Sequence, residues 1–251
     1  MTDHPILFSA PMIRALVDGR KTQTRRLLTR HSTRFDGHAW PNWFGQVDPL
    51  LDLEGAWVDP GPSPAGNPGP YLKMPVQYRK GEETTVHRIY PRIQPGDQLW
   101  VREAHGLIPR KDLGIGLSFA TNPEDANEVC RYRAECPSEE TYWRPSIHMP
   151  RWASRLTLTV TQVRVQRLHE ITEADARAEG APPVHLKPGG DHGNPSDGWI
   201  SHVAGFEGLW NSLHGRTARS RSPFILADRV GTAWAHNPWV LAYTFTVQVV
   251  T

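Results

Sequence analysis

The chain has 251 residues, enough for one large domain or two small ones with a buried core. Apolar residues at 38% and charged residues at 22% exclude a wholly disordered chain, and no apolar run approaches the length that spans a bilayer. A net charge of +2 is too small to argue by itself for a large nucleic-acid footprint, and two cysteines, Cys130 and Cys136, make neither a disulfide framework nor a zinc site of their own.

Residues 1–5 carry no charged-then-apolar leader, so the expectation is a cytoplasmic protein with free thiols. Ile6-Leu7-Phe8 predicts a short strand. Ser9 suits a helix cap, Pro11 suits the first helical turn, and Met12, Ala15 and Leu16 recur at helical spacing. Gly19 is a natural stop. The helix thus releases Gly19-Arg20-Lys21-Thr22-Gln23-Thr24-Arg25-Arg26, which gathers an amine, two hydroxyls and three guanidinium groups. A solvated basic turn is one reading. The other is chemical: a lysine and a threonine in one pocket make an activated nucleophile, and arginines hold anions or stack on flat bases. Lys21 and Thr24 are three residues apart and would face opposite sides of a regular strand. Both serve one pocket only if the segment begins as a turn, which Gly19 permits.

Residues 30–95 read as an insertion. Trp40-Pro41-Asn42-Trp43 and the Pro/Gly-rich stretch 60–70 are turn-dense and predict no regular structure. Gly96-Asp97 predicts a turn and Leu99-Trp100-Val101-Arg102-Glu103 an alternating strand. Residues 104–147 read as a second insertion. In residues 155–168, Leu156, Leu158 and Val160 share a face with which Val163 and Val165 are out of phase; a bulge or a break near Thr161-Gln162 accounts for the slip. Thr172, with Asp175 at the capping-box position and Gly180 as a stop, brackets a short helix. Residues 181–203 and 215–236 read as further loop insertions. Phe206, Leu209, Trp210 and Leu213 predict one helix face, and Trp239, Leu241, Tyr243, Phe245, Val247 and Val249 a closing strand. No internal repeat is visible.

Strands outnumber short helices, so the expected class is α+β, mainly β: a small β-barrel with rim helices and long loop insertions, in a single domain over residues 1–251. Four segments support a resemblance: residues 19–26, the Gly96-Asp97-Gln98-Leu99-Trp100-Val101-Arg102-Glu103 stretch, residues 168–180, and Asn237-Pro238-Trp239-Val240 with the final strand. Together they resemble the ASCH domain family, whose fold is a PUA-like barrel. Ile6-Leu7-Phe8-Ser9-Ala10-Pro11-Met12 and His148-Met149-Pro150-Arg151-Trp152-Ala153-Ser154 are similar to its long, prophage-associated branch. The resemblance implies an amidohydrolase that deacylates N4-acetylcytidine, with Lys21, Thr24 and Glu179 as the catalytic set. Glu179 rests on aligning Leu168-His169-Glu170-Ile171-Thr172-Glu173 across a gap. Other family members are thought to bind or cut RNA. An RNA-binding module or ribonuclease is therefore the alternative, and a phage accessory protein without catalysis the third reading.

Amide hydrolysis needs a nucleophile, a base, an acid for the leaving nitrogen and a donor for the oxyanion. Either Thr24 attacks with a neutral Lys21 as base, or Lys21 stays charged at the oxyanion and Glu179 activates water. Arg25 and Arg26 are the cations that would lower the Lys21 pKa. Arg25, Arg26, Ser9, Trp100, Glu103, Trp152 and Trp239 are the candidate substrate-binding residues. Core packing is the competing reading for the three tryptophans, helix capping for Ser9 and arginine pairing for Glu103. A carboxylate at Glu179, in the last helical turn, opposes the helix dipole, which marks it as functional or as a plain surface charge. The twelve histidines show no ligand spacing, so neither metal nor cofactor is predicted. The expected partner is a small nucleoside, with RNA under the alternative; neither membrane nor protein partner is inferred.

Overall fold

The computed structural model describes residues 2–29, 32–35, 55–62, 69–76, 85–112, 119–136, 142–186, 199–214 and 233–249. It is α+β and mainly β, with two short helices and one of 13 residues among the described residues. Contacts divide it into two compact units. The first is Met1–Thr22, Pro95–Gln162 and Thr244–Thr251, and the second Gln23–Gln94 and Val163–Tyr243.

In the first unit, β1 (Asp3–Leu7) runs parallel to β7 (Gln98–Arg102), with Ile6 opposite Val101. β7 in turn pairs antiparallel with the first part of β11 (Leu156–Arg167), Leu158 facing Leu99. Alternation explains the burial. Leu99 and Val101 point inward with Leu156, Leu158 and Val160, while Gln98, Trp100 and Arg102 are half-buried. Helix α1 (Ala10–Val17) carries Pro11 in its first turn and buries Ile13, Ala15 and Leu16. Gly19 follows at φ 70°, a left-handed conformation that a side chain would disfavour, and its N–H caps the Leu16 carbonyl.

The expected second insertion holds regular structure. β8 (His105–Pro109) and β9 (Ala120–Thr121) both pair with β10 (Glu128–Tyr132) in a three-stranded antiparallel sheet.

In the second unit the strand order is β11-β14-β2, using the later part of β11, the start of β14 (Trp239–Val249) and β2 (Gln23–Leu27). Thr161 and Gln162 are both exposed, so β11 is one strand whose buried face changes phase there, as the sequence pattern requires. β14 differs from its half-buried pattern: Trp239, Val240, Leu241, Ala242 and Tyr243 are all buried, so both faces are covered.

The first expected insertion is also built of strands. β3 (Thr33–Phe35), β6 (Thr85–Pro91), β5 (Tyr71–Val76) and β4 (Trp57–Asp59) form an antiparallel sheet in that order, with Leu72 opposite Ile89. The Pro/Gly-rich stretch 60–70 links β4 to β5, whose nearest pair is Asp59 and Tyr71. Residues 63–68 and the Trp40-Pro41-Asn42-Trp43 turn lie outside the described residues. Within the third expected loop, β12 (Val184–Leu186) pairs with β13 (Trp199–Ser201). Of the fourth, 215–236, only 233–236 is described, with a 3-10 turn at Trp234–His236.

Helix α2 (Glu173–Ala178) has the expected capping box. The Thr172 hydroxyl accepts from the Asp175 N–H, the Asp175 carboxylate accepts from the Thr172 N–H, and Gly180 follows at φ 76°. Helix α3 (His202–His214) buries Gly205, Phe206 and Trp210 against Leu168, Ile171, Ala176, Ala181 and Val240. Leu213, expected on that face, is 67% exposed. At 100° per residue Leu213 shares the face of Gly205, Phe206 and Trp210, but it lies in the last turn of the helix. No described helix is long and apolar enough to cross a membrane.

Candidate functional site

The Lys21–Thr24 segment begins where α1 ends. The Lys21 N–H donates to the Ala15 carbonyl at 2.9 Å, which extends the helix terminus by a turn before the strand starts at Gln23. Lys21 therefore precedes the strand, and the opposite-face problem of a regular extended segment does not apply to it. Its side chain belongs to the first unit. The residue is only 2% exposed, with the ammonium 5.5 Å from the Phe8 ring centroid, a cation–π contact.

Thr24 belongs to the second unit, in β2, at 4% exposure between two other buried polar residues, Gln23 and Arg25. Arg25 has a fully buried side chain. One terminal nitrogen, Nη1, donates to Gln23 Oε1 at 2.5 Å and to Glu179 Oε1 at 3.2 Å. The other, Nη2, lies 3.0 Å from Asp175 Oδ2. The guanidinium also lies 5.9 Å from the Phe206 ring centroid. Nη1 thus hydrogen-bonds to protein groups, while Nη2 meets Asp175 as an ion pair without a hydrogen bond.

Asp175 has a second cation. Arg164 Nη2 donates to its Oδ1 at 2.7 Å. Burial alone would raise the Asp175 pKa, but the hydrogen bond from Arg164 and the charges of Arg25 and Arg164 outweigh it and bring it down to about 2. Burial lowers the pKa of Arg26, against the opposing influence of Glu179 and Tyr243, and pushes the Tyr243 phenol up.

Glu179 is the C-cap residue of α2 and is 4% exposed. The helix dipole disfavours a carboxylate there, and Arg25 supplies the compensating charge. Asp175 and Arg164, which complete this network, carry no sequence signal of their role. Asp175 reads only as a capping residue, and Arg25 and Glu179 are 154 positions apart.

The remaining candidates fall in separate environments. Ser9 occupies the N-cap position of α1 but makes no side-chain capping bond. Trp100 is half-buried, with the Arg102 and Arg151 guanidinium carbons 4.7 and 5.8 Å from its ring centroid. Trp152 packs on the cluster of Cys130, Tyr132, Met149 and Ala153. Trp239 is buried, with Arg167 4.4 Å over its ring.

Glu103 is 2% exposed and forms a bidentate pair with Arg155, at 2.9 and 3.1 Å. Arg155 also pairs with Glu135 and lies 4.0 Å over the Tyr132 ring. Burial raises the Glu103 pKa although Arg155 pulls the other way. Burial likewise pushes the Cys130 thiol up to about 12. His105, fully buried beside this group with Nδ1 3.3 Å from the Glu103 carbonyl, has its pKa lowered by burial; its lone position in the sequence gives no hint of this. No group of three or more His, Cys, Asp or Glu side chains suited to a metal occurs among the described residues.

Comparison of the chain with family models, with curated proteins and with solved structures found no match.

Proposed function

We propose that this protein is a metal-independent amidohydrolase of the ASCH, PUA-like type, which removes the acyl group from N4-acylated cytosine nucleosides. The observation that carries the reading is the withdrawal from water of the chemically competent side chains of one short motif. Lys21 is 2% and Thr24 4% exposed, as is Glu179 at 4%. Burying an amine and a carboxylate is costly, so their withdrawal from water calls for a reason beyond packing. In a mainly β chain, α1 leads through the motif into β2.

The reaction splits an amide. The Thr24 hydroxyl adds to the acyl carbon as Lys21 accepts its proton. Such a base acts as the neutral amine. The C–N bond then breaks and the cytosine N4 leaves with a proton delivered by Glu179. Glu179, now a carboxylate, takes a proton from the water that hydrolyses the threonyl ester, and Lys21 returns its proton to the Thr24 oxygen as the carboxylic acid leaves.

Incubation of the pure protein with N4-acetylcytidine, followed by chromatography, should yield cytidine and acetate. Lys21→Ala and Thr24→Ala should each lower turnover by about 100-fold or more, and the double variant should be little worse than either, as for groups that share one step. Failure of the wild-type protein to release cytidine from any N4-acyl cytosine nucleoside would overturn the reading. Near-normal turnover in Thr24→Ala would replace the threonyl ester with direct attack by water.

A further inference from the structure

Asp175 and Glu179 are four residues apart, one at the third position of α2 and one at its C-cap, so they project from the same side of the helix. Two carboxylates in that relation repel, and Glu179 also stands at the negative end of the helix dipole. The Arg25 guanidinium from β2 offsets both, with Nη1 on Glu179 at 3.2 Å and Nη2 near Asp175 at 3.0 Å. A planar fork can hold two acceptors at fixed directions, which the point charge of a lysine cannot.

The fork is itself held. Gln23 accepts from the same Nη1, Arg164 fixes the far oxygen of Asp175, and the Phe206 ring lies 5.9 Å from the guanidinium carbon. A fully buried arginine anchored on three partners has little rotational freedom, so the Glu179 oxygen that it grips is held in one place.

We infer that Arg25 is a positioning residue: it aims the Glu179 carboxyl for proton transfer and does not itself touch substrate. The inference rests on the amidohydrolase reading. It replaces the expectation that Arg25 binds the nucleoside, and it places Arg25 one step behind the chemistry, acting only through Glu179.

The test is hydrolysis of N4-acetylcytidine by Arg25→Lys and Arg25→Met, each alone and combined with Glu179→Gln, with folding followed by circular dichroism. Arg25→Lys keeps the charge and loses the fork. It should lower kcat by about 10- to 100-fold while KM stays within about twofold. In the Glu179→Gln background the same change should cost less than about threefold, because the group through which it acts is gone. Equal losses in both backgrounds, or a loss confined to KM, would show that Arg25 supports the fold or binds substrate, and the inference falls. It falls too if neither variant folds. Turnover absent from the wild-type protein removes the amidohydrolase reading and the positioning role together, whereas turnover with additive losses removes the role of Arg25 alone.

Discussion

At the scale of single residues, the buried charges around Glu179 make stability depend on pH in a defined window. The Asp175 pKa falls from an ordinary 3.8 to about 2 in the folded chain. A depressed carboxylate contributes stability that is fully present above its unfolded value and is lost as pH falls through its folded value. The Asp175 contribution therefore fades between about pH 4 and pH 2. Asp175→Asn should be less stable than wild type at pH 7, since Arg25 and Arg164 then lack their shared counter-charge. It should also lose less stability between about pH 4 and pH 2. Urea unfolding of both proteins across that range decides the matter; parallel curves would mean that the ion pairs carry no net stability.

At the scale of elements, glycine positions separate propensity from packing. α3 holds two glycines three residues apart. A Cβ on Gly205 would meet the Pro182 carbonyl oxygen at 1.8 Å, a backbone atom that cannot rotate away, whereas a Cβ on Gly208 meets nothing within 4 Å. Intrinsic helix preference favours alanine at both by about 0.5–1 kcal/mol. Gly208→Ala should therefore gain roughly that amount. Gly205→Ala should lose about 1–3 kcal/mol, the usual cost of forcing a packed backbone apart. Urea midpoints moving in opposite directions would confirm that the approach of α3 to Pro182 requires glycine at position 205; a gain at both positions would refute it.

At the scale of the whole molecule, net charge distinguishes the functional readings. The chain carries 28 basic and 26 acidic residues. A neutral acyl nucleoside makes no phosphate contacts, so its hydrolysis should change by less than about twofold between about 50 and about 300 mM salt. Binding of an RNA through several phosphates would weaken by orders of magnitude over the same interval. Titration of kcat/KM against salt, beside a direct RNA-binding titration, separates the two. A steep salt dependence of both would move the protein into the RNA-binding class.

What the sequence determined by itself was local. Pro11 and Gly19 bracket α1, Thr172 and Asp175 form the capping box of α2, and Leu99 and Val101 alternate in β7, because each depends on neighbours within a few positions. The phase change of β11 at Thr161-Gln162 was legible for the same reason. Tertiary structure alone decided the rest. The β3-β6-β5-β4 sheet arises where turn-rich composition argued for an insertion, since strands such as β5 and β6 each include a proline and are stabilised by partners elsewhere in the chain. β14 is covered on both faces, which an alternating pattern read from one strand cannot reveal. Within the candidate site, the motif residues Lys21 and Thr24 could be picked out from residues 19–26, but the partners of Arg25 could not. Its contact with Glu179 spans 154 positions and that of Arg155 with Glu103 spans 52. A charged side chain announces its need for a counter-charge, and only the folded chain determines which one it meets.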